Sequence, residues 1–207
     1  MSIHRFFRDL REVFRTGVVP TATSPKPPRE SATPARAGDT RWKCGKCDKW
    51  HDELPFAYGP KYPDHVFTIP EEERQLRVEE DDDFCTVDDQ HHYVRGRLEI
   101  PVVDAPETFA WDVWVSLGEK DYQRTIELLD VPGRESEQPY PGFLANHLQL
   151  YPDTTRLPVL VQTRAAELVP TITLLESNHP LASEQRNGIT LERVREIATQ
   201  MLHRPGH

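Results

Sequence analysis

Residues 91–117 read "HHYVRGRLEIPVVDAPETFAWDVWVSL". Val94, Gly96, Leu98, Ile100 and Val102 alternate with Tyr93, Arg95, Arg97 and Glu99; Phe109, Trp111, Val113, Val115 and Leu117 then alternate with Ala110, Asp112 and Ser116. A period of two sends one set to a buried face and the other outward, the mark of a half-buried strand. The link Asp104-Ala105-Pro106-Glu107 is short and turn-like. The two strands are therefore expected to pair as an antiparallel hairpin. On this reading Trp111 is core, and Trp114, on the opposite face, covers a second layer or lines a ligand surface.

Working outward, residues 119–130 predict a helix with Tyr122, Ile126 and Leu129 inward, and residues 142–149, 158–164 and 168–176 predict further strands. Pro180 opens a short helix that Gly188 stops. Thr190 caps a final helix whose apolar face is Leu191, Val194, Ile197, Ala198, Met201 and Leu202. Upstream, Pro70 followed by Glu71, Glu72 and Glu73 is a helix start, with carboxylates where the dipole favours them. Strands and helices do not alternate regularly. The expected class is α+β, an antiparallel sheet with flanking helices, rather than a doubly wound fold.

The chain has 207 residues, with 37% hydrophobic and 29% charged side chains. Residues 2–16, "SIHRFFRDLREVFRT", space Ile3, Phe6, Phe7, Leu10, Val13 and Phe14 as one helical face with arginines around it. Residues 1–17 are thus expected to form an amphipathic helix, which docks on a partner, lies on a membrane surface, or packs on its own domain. Residues 18–40 carry five of the 19 prolines and no periodicity, and read as a flexible linker. The folded domain spans 41–207.

Charge is uneven. The first 43 residues sum to +5 and the remainder to −14, for −9 overall. Residues 71–89 hold ten acids against Arg74 and Arg77. Such a body argues against nucleic acid as a partner. The acid run lacks the spacing and glycine of a calcium loop and reads as a solvated face. No apolar run is long enough to span a membrane, arginines interrupt any signal-peptide pattern, and three cysteines make no secreted disulfide framework. The expected compartment is the cytoplasm.

The chemistry concentrates in residues 42–51, "WKCGKCDKWH". Zinc takes four ligands in a tetrahedron, from thiolate sulfur and imidazole nitrogen. Cys44 and Cys47 have the gap that presents two sulfurs to one ion, with Gly45 expected to help the turn. His51 would reach the same side after one helical turn. Cys85, in "DDDFCTVDD", is the remaining thiol. It either completes the set or is a core residue in phase with Val87. His91 and His92 are rival nitrogen donors. Three thiolates and one imidazole would leave the site with about one net negative charge, which Lys43, Lys46 and Lys49 would offset.

Other chemistries find less support. A thioredoxin-like dithiol needs its first cysteine at a helix N-terminus after a buried strand, and here a proline-rich linker precedes it. There is no G-x-S-x-G and no H-E-x-x-H. His179 before Pro180 reads as a helix cap. Arg95, Arg97 and Glu99 share one strand face, either solvated and cross-paired or anion-binding. The leading reading is a non-enzymatic protein with a structural zinc site, binding a partner through its N-terminal helix or its sheet. The alternatives are an open-site zinc enzyme with a base from residues 79–83 or Glu99, a thiol-redox protein, and a peripheral membrane protein.

The ordered series C-x-x-C-x-x-x-H with Leu54-Pro55, then "DDFCTVDDQHHYVRGRLEIPV", "FAWDVWVSL", "YPDT" and "HPLASEQRNGITLERV", resembles the bacterial domain of unknown function 2199 family over about residues 42–203. The resemblance implies Cys44, Cys47, His51 and Cys85 as one ligand set, with His51 ahead of His91 and His92. It implies no activity. The family tends to have glycine after the tryptophan where this chain has Asp112, which argues against a close backbone approach at that point.

Overall fold

The computed structural model of the chain describes residues 41–176 and 178–203. The amphipathic helix expected at 1–17 and the linker expected at 18–40 lie outside them.

The alternating stretch forms the expected hairpin. Strands β6 (His91–Pro101) and β7 (Thr108–Leu117) run antiparallel with Leu98 opposite Trp111 and Gly96 opposite Val113. Val94, Leu98, Ile100 and Val102 are buried, as are Phe109, Trp111, Val113 and Val115. The other strands are β1 (Trp42–Lys43), β2 (Trp50–His51), β3 (Ala57–Tyr58), β4 (Val78–Glu80), β5 (Phe84–Val87), β8 (Tyr140–Leu144), β9 (Pro158–Gln162) and β10 (Thr171–Leu174). The helices are α1 (Asp64–Phe67), α2 (Glu71–Arg77), α3 (Glu119–Glu127), α4 (Pro180–Asn187) and α5 (Leu191–Leu202).

The class is α+β, but the sheet is not open. β7, β8, β9 and β10 follow one another antiparallel, and β10 then lies parallel to β6, which closes a five-stranded barrel. β5 and β4 extend the sheet beyond β6, and β3 joins β7 in parallel. Closure depends on Gly96. A Cβ there would sit 2.4 Å from Ile172 Cδ1 and 3.1 Å from the Pro170 carbonyl. Without it, Arg97 N reaches the Pro170 carbonyl at 2.8 Å, the close approach that strand glycines permit.

The strand expected at 142–149 ends at Leu144 because the chain turns into a pinned loop. Asn146, fully buried, accepts from Trp114 N at 2.8 Å and donates to the Tyr62 carbonyl at 2.9 Å. Thr154 donates to the Asn146 carbonyl at 2.7 Å. Asp112 accepts from Arg97 Nε at 2.8 Å and Nη2 at 3.2 Å across the hairpin. Contrary to the expectation at Asp112, the backbone is approached closely there: a Cβ on Gly59 would fall 2.3 Å from the Asp112 carbonyl oxygen.

The helices end as their residues dictate. His179 Nδ1 accepts from Leu181 N ahead of α4, and Thr190 Oγ1 accepts from Arg193 N ahead of α5. Gly188, at φ 78°, separates the two. α5 buries Val194, Ile197 and Ala198 in the main apolar cluster, which also contains Trp42 and Cys44. A second cluster gathers Val66, Ile69, Cys85, Val87, Tyr93 and Trp114, so Trp114 covers a second layer. Among the described residues no helix is long and apolar enough to cross a membrane.

Candidate metal centre

The domain opens with a small hairpin. β1 and β2 pair with Trp42 opposite His51 and Lys43 opposite Trp50. Between them Cys44 N donates to the Lys49 carbonyl at 2.9 Å, and Asp48 N donates to the Cys44 carbonyl at 3.0 Å. The left-handed residue of this turn is Asp48, at φ 58°, steadied by Lys43 Nζ at 2.5 Å. Gly45 does not have the expected role: its φ is not positive and a Cβ there would meet nothing within 4 Å.

The turn folds Cys47 back toward the strands. The donor atoms of Cys44, Cys47 and His51 all lie within 4.8 Å of one another. Cys47 Sγ is 3.5 Å from His51 Nε2. His51 arrives by strand pairing and not by a helical turn. Its ring stacks on Trp42, with centroids 5.0 Å apart and planes at 29°. The indole is itself fixed, since Trp42 Nε1 donates to the Glu53 carbonyl at 2.9 Å. Such outer support is what orients a ligating imidazole.

Cys44 is fully buried while Cys47 and His51 are half-buried. Burial pushes the Cys44 thiol up, but hydrogen bonds from the Cys47 and Lys46 amides, then from the His203 and Cys47 side chains, bring it down to about 6. A thiolate cradled by turn amides is a ready soft donor. The three-residue cluster could hold a metal ion, and it is the one such group among the described residues.

The structure does not bring Cys85 to this group. Strand alternation turns Phe84 into the main cluster and Cys85 into the second. There burial, reinforced by the charges of Glu80 and Asp81, pushes its thiol up to about 12, so it behaves as a small apolar side chain. The rival nitrogens are elsewhere too. His91 meets His65 edge-on at 4.7 Å, and His92 stacks on Tyr122 at 4.7 Å.

The residue the sequence reading missed is His203, which follows α5 directly. Its Nε2 lies 3.1 Å from Cys44 Sγ, across 159 residues of chain. No local motif marks it; only the packing of α5 carries it there.

Two of the acids suggested as bases have other partners. Asp81 Oδ1 accepts from the Asp83 and Phe84 amides at 2.9 and 2.8 Å, and Glu99 faces Arg164 at 3.5 Å.

A family model described as an uncharacterized protein conserved in bacteria (DUF2199) matches residues 43–189. That span includes Cys44, Cys47, His51 and Cys85 and stops short of His203. No curated protein and no solved structure matches the chain. With most of its length matched, the chain belongs to this family of proteins conserved in bacteria, DUF2199.

Proposed function

We propose that residues 41–203 form a zinc-stabilised, non-enzymatic binding domain in which Cys44, Cys47 and His51 ligate the ion. The observation that carries this reading is the convergence of two sulfurs and one nitrogen within 4.8 Å on a hairpin too short to hold its shape unaided. Two thiolates with imidazole select zinc over hard cations. A metal here contributes folding energy directly to the domain start. Two of the acids suggested as bases, Asp81 and Glu99, serve a turn and an ion pair elsewhere, which supports structural over catalytic use. Trp50, 65% exposed on β2, offers an apolar handle of the kind that recurs at protein contacts. Thiolates that must stay reduced suit the cytoplasm.

The test is elemental analysis of untagged protein, wild type beside Cys47→Ser. About one zinc per chain in the wild type, lost in the variant, is expected. Wild-type protein with fully titratable thiols and no metal would overturn the reading.

A further inference from the structure

We propose that His203 is the fourth ligand of this site, so that the metal is a Cys2His2 clasp joining the last turn of α5 to the N-terminal hairpin. The inference rests on the zinc reading of Cys44, Cys47 and His51.

Each imidazole faces one sulfur: His51 Nε2 lies 3.5 Å from Cys47 Sγ, and His203 Nε2 lies 3.1 Å from Cys44 Sγ. With zinc–sulfur and zinc–nitrogen bonds of about 2.3 and 2.0 Å, the sulfur-to-nitrogen edge of a tetrahedron is about 3.5 Å. Both pairs approximate that edge. The three donor atoms of Cys44, Cys47 and His51 lie within 4.8 Å of one another, against tetrahedral edges of about 3.5–3.8 Å; His203 meets only Cys44 at present, so closure around an ion asks the half-exposed turn carrying Cys47 to move in toward His203.

His203 is delivered by a fixed element. α5 is anchored at its start by Thr190 and by Asp104 Oδ1, which accepts from Leu191 N at 2.6 Å. Its middle is buried through Val194, Ile197 and Ala198. Trp42, Lys43 and Gly45 of the hairpin face Glu196, Thr199 and Gln200 of α5 across one groove, so helix and hairpin are already neighbours. Charge agrees as well. Two thiolates and two neutral imidazoles cancel a divalent cation. A neutral site suits a cluster whose Cys44 is sealed in the apolar core. The flanking lysines are then not needed as counter-charges.

The clasp is tested with cobalt(II) as a spectroscopic probe, on the full chain, in wild type, His203→Gln and His203→Cys. Wild type should show thiolate-to-cobalt charge transfer for two sulfurs and the intense visible bands of a tetrahedral ion. His203→Gln should keep the charge transfer, lose tetrahedral intensity as water enters, and weaken zinc binding by at least about 100-fold, more than loss of an outer-shell partner does. His203→Cys should restore tetrahedral intensity and raise the charge transfer to that of three sulfurs, a gain that a merely misfolded variant cannot produce. Wild-type spectra in His203→Gln, or two-sulfur intensity in His203→Cys, would overturn the proposal and reduce His203 to a hydrogen-bond partner of Cys44. Wild-type protein without thiolate charge transfer would overturn the underlying zinc reading, and the clasp with it.

Discussion

Replacing Cys85 with serine separates a buried core thiol from a metal ligand. Cys85 is fully buried, enclosed by Val66, Ile69, Val87, Tyr93 and Trp114. Serine fits the volume but brings a hydroxyl. β5 is paired along both edges, to β4 and to β6, so the adjoining backbone groups are engaged. The nearby Tyr93 hydroxyl lies 2.8 Å from His65 Nδ1. An unsatisfied buried hydroxyl costs about 1–3 kcal/mol. For a domain of this size each kcal/mol moves the melting temperature by about 2–4 °C, so a loss of about 2 kcal/mol lowers it by about 4–8 °C. Cys85→Ala, which removes the sulfur without adding a polar group, should cost about 1 kcal/mol. Both variants should retain wild-type zinc. The assay is thermal unfolding with metal content measured on the same samples. Loss of zinc from Cys85→Ser would refute the reasoning, and so would a serine variant as stable as wild type.

Gly96→Ala forces a methyl group to within 2.4 Å of Ile172 Cδ1; a cost of about 1–3 kcal/mol is expected, partly recovered by Ile172→Val, as read in urea unfolding. Arg134, 8% exposed, donates from its guanidinium to the carbonyls of Leu129, Arg164, Ala165 and Leu168 at 2.7–3.1 Å. Arg134→Met should cost at least about 3 kcal/mol in the same assay, and Arg134→Lys should not restore it, since one ammonium cannot reproduce the planar fork. With a chelator present, iodoacetamide should label the half-buried Cys47 in the native protein and spare Cys85, whose thiol is buried and pushed up to about 12; peptide mapping that finds Cys85 labelled without denaturant would count against the packing described.

The hairpin was legible because alternation over two long strands leaves one register that buries Val94, Leu98, Ile100 and Val102 together. Barrel closure was not. β10 has four residues, meets β6 in parallel, and depends on a contact between Gly96 and Ile172 that no local pattern announces. The cysteine pair and His51 were legible from spacing, although the geometry behind them differs: strand pairing, not a helical turn, brings His51 round. Cys85 shows the limit of counting ligands. Zinc chemistry asks for a fourth donor and the chain offers one more thiol, but the strand parity of Phe84 and Cys85 sends that thiol to the wrong face. The bland reading, core in phase with Val87, is the one the structure matches. His203 lay beyond reach because its role depends on where α5 ends relative to a hairpin 159 residues earlier.

X-ray absorption at the zinc edge, on untagged full-length protein, tests the central claim most directly, since it counts sulfur and nitrogen neighbours around the ion. The account predicts two sulfurs at about 2.3 Å and two nitrogens at about 2.0 Å. A first shell of three sulfurs and one nitrogen would place Cys85 on the metal and contradict it.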